Sequence, residues 1–291
     1  MWEMRDGLLI DPQELSAKLG EPGLRVLDAT VHLRREHPRG PYTVQSARDE
    51  YERGHIPGSA YADVAGALSD PASANPLVVP DPKRFARAAG DLGISPASHV
   101  VTYSQHSPMW ATRLWWLLRY FGFDRVSVLD GGLRAWTSAG LELAAGEESY
   151  HPATFEPTVR PQLLARLRDV QAVVGGGSEA ILVNALAPEA FRGEGPGAYS
   201  RPGRIPGSVN VHWEQTVDPS TGRFLTPAEL ESRLGDLGAP GTEPVIAYCG
   251  GGISATVDLF ALALIGREDA RLYDGSLTEW TADPSLPVEV G

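Results

Sequence analysis

The sequence predicts an α/β protein of two similar domains, each a mostly parallel sheet flanked by helices. Two observations lead there. Short, wholly apolar segments alternate with helical stretches, the pattern of strands buried on both faces and joined by helical crossovers. The alternation is also written twice: GHIPGSAY (54–61) returns as GRIPGSVN (203–210), and residues 100–136 return as 245–280.

In the first copy LRVLDA (24–29) is a buried strand ending in a polar step, and the IPGS segment after it is a turn. VVTY (100–103) is the next strand. The loop SQHSPM (104–109) follows, and then a helix whose Trp115, Trp116, Leu117 and Leu118 are core. VSVL (126–129) is a third strand, and after an Asp-Gly turn a helix closes on Trp136. The second copy keeps the order: AILVNA (180–185), an IPGS turn, VIAY (245–248), the loop CGGGIS (249–254) and a helix carrying Val257, Leu259, Phe260, Leu262, Ala263 and Leu264. The strand ARLYD (270–274), an Asp-Gly turn and a helix ending in Trp280 complete it. Between the copies, Glu, Pro and small residues show no periodicity and read as a linker over the surface. The expected organisation is a domain at 1–143, a linker at 144–162 and a domain at 163–291.

A chain of 291 residues with 42% hydrophobic content can fill two cores. The net charge of −12, with no run of basic residues, argues against a nucleic-acid surface. Arg113 and Arg119 interrupt the longest apolar stretch, so no membrane span is expected, and the charged N-terminus does not read as a signal peptide. One cysteine excludes an internal disulfide and suits a reducing compartment, with the cytoplasm as the expectation. The seven histidines are scattered and none is spaced as a ligand set with Cys249, so no metal is expected. CGGGIS lacks the lysine and spacing of a phosphate-binding loop, so no nucleotide or other cofactor is expected. An internal duplication buries a pseudo-symmetric face of its own, which suits a monomer.

The single cysteine carries the chemistry. Cys249 follows an apolar strand and precedes Gly250, Gly251 and Gly252, then Ile253 and Ser254, where a helix begins. Such a loop can curl main-chain N–H groups around one sulfur atom at the positive end of a helix dipole, an arrangement that favours a thiolate and a neighbouring anion. A lone cysteine is more commonly a buried structural residue. Three consecutive glycines argue against that, because they pack nothing and cost chain order.

Aligning the copies sets Ser104 opposite Cys249, and Gln105, His106 and Ser107 opposite the glycines. Pro108, lacking an N–H, falls opposite Ile253. The first domain therefore reads as a scaffold and a wall of the cleft. Ser104 as a nucleophile would need a base that the sequence does not place beside it.

The paired HIPGS and RIPGS turns, YCGGGIS, LDGGLRAW, YDGSLTEW and AFRG (190–193) resemble the tandem-domain rhodanese family of thiosulfate and 3-mercaptopyruvate sulfurtransferases, over nearly the whole chain and in the family's order. The resemblance implies two α/β domains, the N-terminal one non-catalytic, and a Cys249 that becomes a persulfide, with the Gly250–Ser254 amides holding it. It implies a carboxylate-binding role for Arg192, whose bland alternative is a solvated surface arginine. It also marks His55, which more often orients its turn and the domain interface than moves protons. Ser254 stands where relatives often have threonine; it would donate to the sulfur or cap the following helix. The implied partners are a small anionic sulfur donor and a small thiophilic acceptor, such as cyanide, a low-molecular-weight thiol or a thioredoxin-like protein.

Three departures qualify the donor. Gly251 replaces the hydroxyl residue of the mercaptopyruvate loop, Leu186 falls where that group's first carboxylate-binding arginine is expected, and Asn184 replaces an acidic residue. These favour thiosulfate as donor, with 3-mercaptopyruvate as the alternative and a sulfur carrier or binding module without turnover as a more distant one. A phosphatase of related fold would need an arginine closing the loop, and none follows until Arg267.

Overall fold

The computed structural model describes residues 7–34, 42–73, 75, 77–194, 199–238 and 243–291. The first copy comprises β1 (Leu9–Ile10), α1 (Pro12–Lys18), β2 (Leu24–Asp28), β3 (Val31–Arg34), β4 (Thr43–Ser46), α2 (Arg48–Arg53), β5 (Ser59–Tyr61), α3 (Pro82–Asp91), β6 (His99–Tyr103), α4 (Pro108–Tyr120), β7 (Val126–Leu129) and α5 (Gly132–Ser138). The second comprises β8 (Leu164–Ala165), α6 (Leu167–Val174), β9 (Ile181–Asn184), α7 (Pro188–Phe191), β10 (Val209–Asn210), α8 (Pro227–Leu234), β11 (Val245–Tyr248), α9 (Ala255–Leu264), β12 (Arg271–Tyr273) and α10 (Ser276–Ala282).

The two five-stranded sheets run β5-β2-β6-β7-β1 and β10-β9-β11-β12-β8, every pairing parallel. The orders correspond strand for strand, so the duplication seen in the sequence is a duplication of the fold. Two-residue edge strands such as β1 and β8 are too short to show a period and were not expected. Neither was the antiparallel ribbon β3–β4, which belongs to the first copy and pairs Leu33 with Val44.

Local signals place the helices. Asp81 accepts from the N–H groups of Lys83 (2.9 Å) and Arg84 (3.1 Å) ahead of Pro82, and Ser107 caps α4 ahead of Pro108. The segment joining the copies lies along the first domain and is tied to it. Tyr150 accepts from the Val26 N–H (2.8 Å), the Ala153 N–H donates to the Gly90 carbonyl (2.9 Å), and Phe155 is buried against Phe85.

The domains join through the helices that follow their two equivalent loops. Helices α4 and α9 are buried almost throughout and pack on each other, with Trp115 edge-on to Phe260 (4.9 Å between centroids) and the Thr112 and Thr256 hydroxyls 2.9 Å apart. An apolar surface on all sides suits a helix with protein on every side. Among the described residues no helix is long and apolar enough to cross a membrane.

Candidate active site

Cys249 follows β11, which is paired on both sides by β9 and β12, so the thiol sits at the carboxyl edge of the sheet where open α/β folds hold ligands. It is 2% exposed. The Asp-Gly turn after β12 holds it at both ends. Its N–H donates to the Ser276 hydroxyl (3.1 Å), which donates to the Tyr273 carbonyl (2.8 Å), and its carbonyl accepts from the Leu277 N–H (3.2 Å). Ser276 adopts φ +51°, where the first copy places Gly132 at φ +57°. For a serine this left-handed conformation costs about 1–2 kcal/mol, a strain offset by the two hydrogen bonds it enables.

One of the three glycines is sterically required by main-chain contact, and a second is crowded by a side chain. A Cβ on Gly252, at φ +78°, would lie 2.5 Å from Asp274 Oδ1 and 2.7 Å from its carbonyl oxygen, and a Cβ on Gly250 would collide with the Tyr199 hydroxyl. Gly251 is open, with Asn75 Oδ1 the nearest atom to such a Cβ at 3.5 Å. The Gly250 carbonyl is held by the Thr278 N–H (2.9 Å) and hydroxyl (2.7 Å). The N–H groups of Gly250 through Ser254 find no acceptor among the described residues. A run of unpaired amides leading into a helix is an anion-binding arrangement. Ser254 is already helical (φ −63°, ψ −26°) and makes no capping bond, so the cap anticipated for its hydroxyl does not form.

Above Cys249 opens a cavity of about 420 Å³. Leu33, Val44, Leu77 and Met109 of the first domain and Leu186, Trp213 and Ile253 of the second form its walls, with Tyr199, Asn75, Ser254 and Thr278 as polar points. The first domain also grips the active loop directly. Arg113, on α4 and fully buried, donates to Asp274 Oδ1 (2.6 Å), the Gly252 carbonyl (3.2 Å) and the Leu77 carbonyl (2.5 Å). Asp274 Oδ2 in turn accepts from the Val79 N–H (2.7 Å).

Of the residues singled out from the sequence, Cys249, Gly250, Gly251, Ile253 and Ser254 line this cavity, and Gly252 is buried and does not line it. Arg192 is not brought there. It follows α7 and pairs with Glu194 (2.8 Å), which raises its pKa. His55 is also elsewhere: it stacks on Tyr51 (4.2 Å), meets the Tyr51 carbonyl (2.8 Å) and Glu148 (3.3 Å), and its main chain pairs with Ala144. It fastens the HIPGS turn to the interdomain segment. Ser104 bonds to the Ser107 carbonyl, and among the described residues no base is hydrogen-bonded to its hydroxyl. Tyr199, Trp213, Asn75 and Thr278 are not marked by the sequence, and Arg113 reads there only as a break in an apolar stretch. Only Arg113, a cation inside an apolar helix, carried a signal.

Comparison with known proteins agrees with this geometry. The Rhodanese-like domain model matches residues 11–139 and 182–283. The chain is 39% identical over 296 residues to a probable 3-mercaptopyruvate sulfurtransferase of Pseudomonas aeruginosa, covering 99% of this chain and all of that one. It is 32% identical to the thiosulfate/3-mercaptopyruvate sulfurtransferase 1 of Arabidopsis thaliana, covering 94% of this chain and 76% of that one. The crystal structure of SseA, a 3-mercaptopyruvate sulfotransferase from Escherichia coli, superposes with a TM-score of 0.78 at 30% identity over 92% of this chain and 98% of that one. Two parallel sheets in the same order, one cysteine on a glycine loop and these matches together place the chain in the rhodanese family, as a tandem-domain sulfurtransferase.

Proposed function

We propose that the protein takes the thiol sulfur of 3-mercaptopyruvate and passes it to a thiophilic acceptor as the sulfane sulfur of a Cys249 persulfide. The observation that carries the donor is the cavity: about 420 Å³ walled chiefly by apolar side chains from both domains. Such walls suit the carbon skeleton of an organic thiol, whereas an inorganic dianion would lose hydration against them and find partners only at the loop amides. This reverses the preference for thiosulfate drawn from Leu186 and Gly251. The relatives' names support the reversal, although the Arabidopsis enzyme is named for both donors.

The Cys249 thiolate attacks the donor sulfur, and the carbon–sulfur bond breaks with its electron pair passing to carbon. Pyruvate leaves as its enolate and takes a proton from solvent, while the sulfur stays on Cys249 as a persulfide. The Gly250–Ser254 amides stabilise the charge. A thiolate or cyanide then attacks the outer sulfur and Cys249 leaves as the thiolate, ready for another turn. A low-molecular-weight thiol or a thioredoxin-like protein in a reducing compartment such as the cytoplasm would serve as acceptor.

The test is a steady-state comparison of the two donors with cyanide as acceptor. 3-Mercaptopyruvate should exceed thiosulfate in kcat/KM by about tenfold or more, and equal or better turnover of thiosulfate overturns the donor assignment. Cys249→Ser should abolish transfer with either donor. Mass spectrometry of the wild-type protein after donor alone should find one added sulfur on Cys249.

A further inference from the structure

The first domain, silent in sulfur chemistry, brings together three side chains far apart in the sequence. His32 on β3, Glu50 in the first turn of α2 and His106 in the loop before α4 converge. His32 Nε2 lies 3.0 Å from Glu50 Oε2, and His106 Nε2 lies 2.9 and 3.0 Å from the two Glu50 oxygens. The three donor groups lie within 4.8 Å of one another. We propose that His32, Glu50 and His106 form a binding site for a borderline divalent cation, with Zn²⁺ the best match.

Two imidazoles and one carboxylate are a zinc donor set that leaves a fourth position for water or an anion. Donors around a tetrahedral zinc stand about 3.3 Å apart, so an ion would have to part these groups by a few tenths of an ångström. The His106 side chain, 57% exposed, has room to withdraw. The backbones are anchored independently of the trio. His32 is paired with Gln45 in the ribbon, and Gln105, next to His106, is held by the Thr30 hydroxyl, Asp28 and the Gly54 carbonyl.

Its place in the fold gives the site meaning. Side chains alternate faces along a strand, and Leu33, the neighbour of His32, lines the cavity above Cys249. A cation on His32 would therefore clamp the ribbon that walls this cavity to α2 and to the loop equivalent to the active one. The scattered histidines of the sequence gave no such set, because the ligands come from three elements that only tertiary packing joins.

The test uses the full chain carrying Cys249→Ser, so that the single thiolate cannot bind the probe, titrated calorimetrically with Zn²⁺ alone. One equivalent should bind. His32→Ala, His106→Ala and Glu50→Gln should each weaken it by about tenfold or more, while His151→Ala, in the exposed part of the interdomain segment, should not. Co²⁺ should show visible bands of four-coordinate geometry that vanish in His106→Ala. Absence of stoichiometric binding, or binding indifferent to His32 and His106, overturns the site and leaves a carboxylate hydrogen-bonded by two imidazoles.

Discussion

Arg113 offers the sharpest test of how the two domains make one site. It comes from the first domain, yet its guanidinium holds Asp274 and the Gly252 carbonyl of the second as well as the Leu77 carbonyl, all out of solvent. Arg113→Met keeps much of the side-chain volume and removes every donor. Breaking one half of a buried ion pair costs about 3–5 kcal/mol, because the remaining charge is stranded. At about 2–4 °C per kcal/mol for chains near this size, the melting temperature should fall by roughly 10 °C. With the Gly252 carbonyl released, kcat/KM should fall too. The double variant Arg113→Met/Asp274→Asn should recover at least half of the stability, since it strands no charge and an amide oxygen can still accept from Val79. Calorimetric melting of the wild type, the single variants and the double variant measures this directly. A single variant within about 1 kcal/mol of wild type, or a double variant no more stable than Arg113→Met, would refute the reasoning.

Three further outcomes follow from the loop and its supports. Gly252→Ala should cut transfer activity by about a hundredfold or more, because its Cβ runs into the Asp274 main chain and displaces the sulfur; near-normal kinetics would show that the loop tolerates the shift. Ser276→Ala leaves the buried Cys249 N–H without its acceptor at a cost of about 1–3 kcal/mol; an unchanged denaturation midpoint contradicts this. Asp258 on α9 is fully buried, neither of its oxygens has a partner among the described residues, and burial pushes its carboxyl well above the ordinary 3.8. The unfolded chain ionises there first, so the contribution of Asp258 is complete below about pH 4 and is lost as pH rises toward the folded value. Asp258→Asn should therefore gain melting temperature over wild type as pH rises from about 4 to 8, and a difference constant in pH would rule this out.

The repeat legible in the sequence translated into two sheets of identical strand order because buried parallel strands are continuous apolar runs, visible without any partner. The position of the proposed nucleophile was equally legible: a lone cysteine between an apolar strand and three glycines does fall at the end of a central strand and on a cavity. Ribbon β3–β4 was not, since its residues are half exposed and alternate weakly. Arg192 and His55 show the limit of motif reading. Each sits in a recognisable segment, yet the first is engaged by Glu194 and the second is buried against Tyr51.

By itself the sequence determined the duplication, the parallel α/β class and the place of the lone cysteine between a strand and a glycine loop of the second copy, because each is set by neighbours a few residues apart. Tertiary structure alone decided what surrounds that sulfur. The grip of Arg113 on Gly252 spans 139 positions and its pair with Asp274 spans 161. The apolar cavity and the His32–Glu50–His106 cluster likewise depend on surfaces meeting across the fold. Such meetings follow from how whole elements pack, and no local pattern encodes them.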